Sequence, residues 1–314
     1  MAIIDYAGFD PIFWLHHVQV DRLLAIWQAL YPDSYVESSA EPIGSATIAP
    51  GTQTDVNTPL KPFHSDRNGS FWTSAGVANV ETLGYSYPEI QGKSQSEVKA
   101  AVNALYANSS GVTLTRRDNV DGNNSEFAPL VAAGLSNDAP FEAIPDPPTT
   151  GNYTEWLTNI RVAKDALEQA FFIHIFLGDF DPNPKVWTIE PNLVGTHSII
   201  TPYVMKRDPL QSTIVTGQIP LTRALRVDAQ KGLLNLTDEA NTKEYLTRHL
   251  HWRITTMDDK DVPRDQVPDL KIAVVAANVQ AAEADDQFPV WGELKVQHDI
   301  TNGRPAGLGL GDDV

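Results

Sequence analysis

The chain has 314 residues, 42% of them hydrophobic, with seven tryptophans, no cysteine and a formal net charge of −17. That is enough apolar material for one or two globular domains, and the acidic balance without a basic patch excludes nucleic acid and anionic membrane surfaces as partners. Absent cysteine removes disulfides, zinc fingers and thiol catalysis, and no run of eighteen apolar residues offers a transmembrane helix.

In chain order, Asp10-Pro11 is an N-cap followed by a first-turn proline, so a helix is expected to start here. His17 then falls almost two turns in, with Asp21 one turn beyond it and Leu24 two, which puts an imidazole and a carboxylate on one face. A neutral imidazole is a good copper ligand, although a helix with Phe13, Val20, Leu23, Leu24 and Trp27 also reads as an ordinary core helix. Tyr31-Pro32-Asp33-Ser34 ends the pattern, and residues 37 to 62 read as a long surface loop. Gly84-Tyr85-Ser86-Tyr87-Pro88-Glu89 reads as an edge strand with two aromatic residues on one face. Ser94-Gln-Ser-Glu97 is a capping box opening a helix from about 95 to 107.

Residues 108–150 lose periodicity and read as a linker; the pair Arg116-Arg117 inside it is open to being a proteolytic cut site or two ordinary exposed arginines. From Tyr153 the pattern becomes short apolar runs between turns: Trp156 to Val162, Phe171 to Leu177, Ser198 to Met205, Thr213 to Leu221, Leu246 to Thr255 and Leu270 to Val279. Such a series predicts an antiparallel β-sandwich. His249 and His251, two apart, would share one side of a strand, a spacing open to metal binding or to plain sheet packing. Five sequons, at Asn68, Asn108, Asn123, Asn152 and Asn235, are open to glycosylation in a secreted protein.

The stretch D-P-x-F-x-x-H-H-x-x-x-D-R-x-x-x-x-W, carried by Asp10, Pro11, Phe13, His16, His17, Asp21, Arg22 and Trp27, resembles a helix of the type 3 copper proteins. In tyrosinases, catechol oxidases and haemocyanins this is the third-ligand helix of the second copper site. The resemblance implies that His17 binds metal and that His16 stands beside the site. It also implies that Asp21 and Arg22 form a charged pair tying the helix to its surroundings without touching metal. Tyr85-x-Tyr87 resembles the element that closes the catalytic domain of fungal tyrosinases. Phe172 to Asp179, Pro191 to Thr196 and Phe288 to Glu293 resemble their C-terminal domain.

The fold class expected is therefore α+β: the remnant of an α-helical copper bundle followed by an antiparallel β-sandwich. Residues 1–107 would be the end of the catalytic domain, 108–150 the linker, and 151–314 a shielding domain. By resemblance the intact protein is an oxidoreductase holding two copper ions, with phenolic small molecules and O2 as partners, hydroxylating monophenols and oxidising o-diphenols to o-quinones. The family uses three histidines for each copper. Here the eight histidines include no H-x-x-x-H pair, and sixteen residues at most precede His17. The expectation is a C-terminal part of a longer protein, inactive alone, with no catalytic residue of its own. The alternative is a catalytically inactive shielding or binding module derived from a tyrosinase. A cytoplasmic or secreted location depends on the missing N-terminus.

Overall fold

The computed structural model describes residues 4–41, 44, 47–106, 151–201 and 212–312. The expected linker at 108–150 lies outside the described residues, with Arg116, Arg117, Asn108 and Asn123. Two compact units emerge, one built on Tyr6–Ala104 and Ala284–Phe288, the other on Leu105–Glu283 and Pro289–Val314.

In the first unit, helix α1 runs Pro11–Leu30. Extended Asp10 caps it, its carboxylate accepting the Ile12 N–H at 3.0 Å, and Pro11 sits where a helix needs no donor. The helix stops where the Tyr31 N–H returns to the Trp27 carbonyl. Within the expected loop lie β1 (Ser39–Ala40), paired with β2 (Gln53–Thr54), and the start of β3 (Pro59–His64), which pairs with β4 (Phe71–Thr73). These strands are short and largely exposed, so little apolar burial betrays them in the sequence. Helix α2 (Gln95–Tyr106) opens on the capping box: Glu97 accepts the Ser94 N–H at 2.8 Å, and Ser94 Oγ accepts the Glu97 N–H at 3.4 Å.

A small core joins Ile26 and Leu30 of α1 to Val98 of α2, with Ile90, Val102 and Phe288 packed around them. Phe288 arrives on a segment far along the chain. Asn103 Nδ2 donates to the carbonyls of Asp285 and Gln287 at 2.5 and 2.7 Å, and Ser96 Oγ donates to Asp286 at 2.7 Å. These bonds fix 284–288 along α2.

The second unit holds β5 (Asn152–Ala163), β6 (Phe171–Leu177), β7 (Leu193–Ile199), β8 (Ile214–Pro220), β9 (Leu250–Thr256), β10 (Asp261–Val262), β11 (Lys271–Gln280), β12 (Val290–Trp291) and β13 (Lys295–Val296). One antiparallel sheet has the order β10-β9-β6-β7, the other β12-β11-β5-β8 with β13 also on β11. Between them Trp156, Ile160, Ile173, Ile175, Trp252, Ile254, Ile272 and Val274 form one fully buried cluster. Each such side chain contributes about 1.5–3 kcal/mol on burial, which makes this core the main source of stability in the unit.

Strand β6 is covered on both faces, which explains its unbroken apolar run. Phe171, Ile173, Ile175 and Leu177 face the core, while Phe176 on the opposite face meets Trp187 of the 3-10 helix Pro184–Ile189, ring centroids 5.8 Å apart. His174 shares that outer face. It is 2% exposed, held between the hydroxyls of Thr196 (3.0 Å) and Thr255 (2.8 Å), and burial keeps it neutral by lowering its pKa to about 4.

Along one side the sheets close through two glycines. A Cβ on Gly217 of β8 would lie 2.4 Å from the His197 ring of β7, and one on Gly195 of β7 would lie 2.9 Å from Ile219 of β8. A side chain in either place would force the facing residue to move.

The α+β class and the sandwich match the sequence expectation, whereas several element bounds differ. β7 starts earlier than the expected 198–205 run. The run from Leu246 to Thr255 divides into the end of α4 (Glu239–His249) and β9, and α3 (Thr222–Gln230), α4 and the single-turn α5 (His298–Thr301) were not anticipated. His249 therefore closes a helix and His251 lies in a strand, so the two do not share a strand face. No helix among the described residues is long and apolar enough to cross a membrane.

Candidate metal centre

The histidine pair lies in the exposed N-terminal half of α1. Phe13, one turn before His17, packs its ring 4.2 Å from the imidazole, and the His16 and His17 rings are 5.4 Å apart at 76°. Consecutive helical residues point about 100° apart, so the two imidazoles diverge and do not grip one ion together. The indole of Trp14 donates to the Gly8 carbonyl at 3.0 Å, tying the preceding turn to the helix start.

One turn past His17, Asp21 is the acceptor for two phenols. Tyr85 donates to its Oδ2 at 2.9 Å and Tyr87 at 2.5 Å, the two rings meeting edge to face at 5.7 Å. Burial first, and then the bond to the Asp21 carboxylate, push both phenol pKa values up, so both stay donors. The 85–87 segment has no strand assignment; it is extended chain laid against α1. Arg22 grips Glu89 with two bonds, Nη2 to Oε1 at 2.7 Å and Nε to Oε2 at 3.1 Å, and reaches Gln19 at 3.1 Å. That fork holds the Glu89 carboxyl below the usual carboxylate range. Asp21 and Arg22 thus bind the 85–89 segment, each with its own partner.

Around this anchorage α1 is bare. Trp14 is 61% exposed, Leu15 65% and Val18 57%, and burial is confined to Ala25, Ile26 and Leu30 near the C-terminus. A helix apolar on nearly every side is suited to being enclosed. A cavity of about 270 Å³ lies beside the buried end, lined by Gln28, Ala29, Asn79, Glu81, Ser86 and their neighbours, and neither histidine reaches it.

The other histidines sit apart in ordinary packing. His64 stacks on Phe71, His249 packs on Tyr245, His251 meets Phe180, His174 is buried between Thr196 and Thr255, His197 lies over Gly217, and His298 begins α5. Among the described residues no three His, Cys, Asp or Glu side chains converge to hold a metal. The sequence reading missed Glu89 and the acceptor role of Asp21. Glu89 sits two residues past Tyr87, in the segment already singled out, which was the available signal.

Two family models match the chain: the common central domain of tyrosinase over residues 1–30 and the tyrosinase C-terminal domain over 155–274. A tyrosinase of Neurospora crassa is 28% identical across the whole of this chain and 58% of its own length. One from Podospora anserina is 32% identical over 73% of this chain and 47% of its own. Polyphenol oxidase 2 of Agaricus bisporus is 50% identical over 27% of this chain. The chain spans about half the length of the two tyrosinases. Among solved structures, mushroom tyrosinase in its latent and active forms shares the fold, with a TM-score of 0.66 at 24% identity over 95% of this chain and 51% of that one. The apo-protyrosinase of Aspergillus oryzae does so at 0.53 and 18% identity over 99% of this chain and 42% of its own. With the end of the central domain and the C-terminal domain both matched in sequence, the chain belongs to the tyrosinase family.

Proposed function

We propose that this chain provides the last ligand helix of the second copper site of a phenol oxidase, together with the C-terminal sandwich, residues 151–314, that shields that site. In this reading His17 is the metal ligand, His16 stands beside it, and Asp21 and Arg22 position the helix. The observation that carries it is the anchored helix: His17 projects one turn ahead of a carboxylate held by two tyrosines, on a surface whose apolar residues call for further helices. Copper, when bound in such a protein, activates O2 for the hydroxylation of a phenol and the oxidation of the catechol to an o-quinone. What these residues do is narrower. His17 offers a nitrogen donor, Phe13 restricts its ring, and the Asp21 and Arg22 contacts fix the pitch of the helix that presents it.

The donor chemistry fits copper at one ligand, but among the described residues one positioned imidazole does not make up a copper pair. That count favours the second reading, in which the chain by itself is a catalytically inactive shielding module. Copper titration with metal analysis, coupled to an assay for quinone formation from a phenol and a catechol, tests both. Weak binding and no quinone are expected of this chain alone. Two tightly held coppers per chain with quinone formation would overturn the division of labour.

A further inference from the structure

We propose that Asn235 is an acceptor for N-linked oligosaccharide, which makes the chain a client of the secretory pathway. Of the five sequons, Asn68, Asn152 and Asn235 fall among the described residues, and all three asparagines are exposed. Asn152 is committed to a strand, opposite Gln280 of β11. Asn235-Leu236-Thr237 instead forms the turn between α3 and α4, and every polar group of Asn235 but one is used in it. Its N–H donates to Asn241 Oδ1 at 2.7 Å, and its carbonyl accepts the Asp238 N–H at 3.1 Å. Its Oδ1 accepts both the Thr237 N–H at 3.2 Å and the Thr237 hydroxyl at 2.7 Å. Nδ2 donates to nothing among the described residues. The hydroxyl two places on, which the sequon demands, thus already rests on the amide oxygen and leaves the amide nitrogen free toward solvent.

The chemistry is compatible with the turn. The Nδ2–C1 bond forms as the C1–O bond of a lipid-pyrophosphate-linked oligosaccharide breaks; the pyrophosphate leaves with the electron pair and Nδ2 gives up one proton. A secondary amide keeps its carbonyl acceptor, so both Thr237 bonds survive. Exposed Lys231, Gly232, Leu233 and Glu239 around the turn leave room for the sugar.

The test is peptide mapping of the chain from the cells that make it, and of the chain secreted by a yeast behind a cleavable leader, after enzymatic deglycosylation in heavy-oxygen water. A heavy Asp at position 235 is expected from both. Thr237→Ala and Asn235→Gln should abolish it, while Thr237→Ser should retain it even if Asn235→Gln fails to fold. An unlabelled 235 peptide from either source, or label persisting in Thr237→Ala, would overturn the assignment.

Discussion

Helix α1 and strand β6 are both apolar, and the chain treats them in opposite ways. Phe171–Leu177 is covered on both faces by its own unit, whereas Trp14, Leu15 and Val18 face solvent. The sandwich carries its own cover; the first unit uses its polar contacts to anchor one helix and leaves the apolar ones unused. Apolar character in a sequence says that a surface wants to be enclosed and does not say by which part of the chain.

The widest gap between the two regions should open in catalysis. In the full-length enzyme envisaged here, His17→Ala should take phenol oxidation to background, while His16→Ala should lower activity or copper affinity about 10- to 100-fold. Quinone formation and metal analysis on both variants check the order. A His17 variant retaining two coppers and full activity would show that the wrong histidine was chosen.

Stability should respond in the other unit. Trp252→Ala removes a fully buried indole and its bond to the Pro305 carbonyl, at a cost of about 3–5 kcal/mol. Chemical denaturation followed by fluorescence measures it.

Acid should act there too. His174 is neutral in the fold and its pKa is depressed, so between its unfolded value of 6.5 and its folded value of about 4 the unfolded chain binds the extra proton. Stability therefore falls as pH drops through that window, by about 3 kcal/mol in full, and is level below it. Denaturation midpoints at several pH values test this, and His174→Gln should flatten the profile.

Most of the fold class was legible, and the reasons are local. Asp10-Pro11 and Ser94-x-x-Glu97 mark helix starts through groups adjacent in sequence, and strand runs such as Phe171–Leu177 announce themselves by composition. Helix α4 was missed because it passes into β9 at His249-Leu250 without Gly or Pro, although the Asp238 cap, which accepts the Ala240 and Asn241 N–H groups, was a readable signal. At the candidate site the helix that carries His17 is legible from its motif. The partners of Asp21 and Arg22 are not, because Tyr85, Tyr87 and Glu89 lie 64 to 67 residues away and only the folded chain brings them together.

Smaller effects sharpen the contrast inside the first unit. Glu89→Gln replaces a forked ion pair by a weaker contact and should cost about 1–3 kcal/mol, read as faster hydrogen exchange along α1. Since pairing lowers the Glu89 pKa, its contribution is complete above the ordinary carboxylate range and disappears as pH falls through the folded value. Leu15→Ala, at a site 65% exposed, should change the stability of this chain by no more than about 0.5 kcal/mol. A loss comparable to that of Trp252→Ala would mean that α1 is already enclosed.

The paired glycines of the sandwich have a consequence for how this domain tolerates variation. His197 seated over Gly217 and Ile219 seated over Gly195 work as two pegs in two sockets, cut in opposite directions across one seam. Sliding either strand by one residue lifts both pegs at once, because alternate side chains turn away from the seam. The alignment of the two sheets is thus written into four residues on β7 and β8. A methyl group in either socket would push the facing peg out of its place.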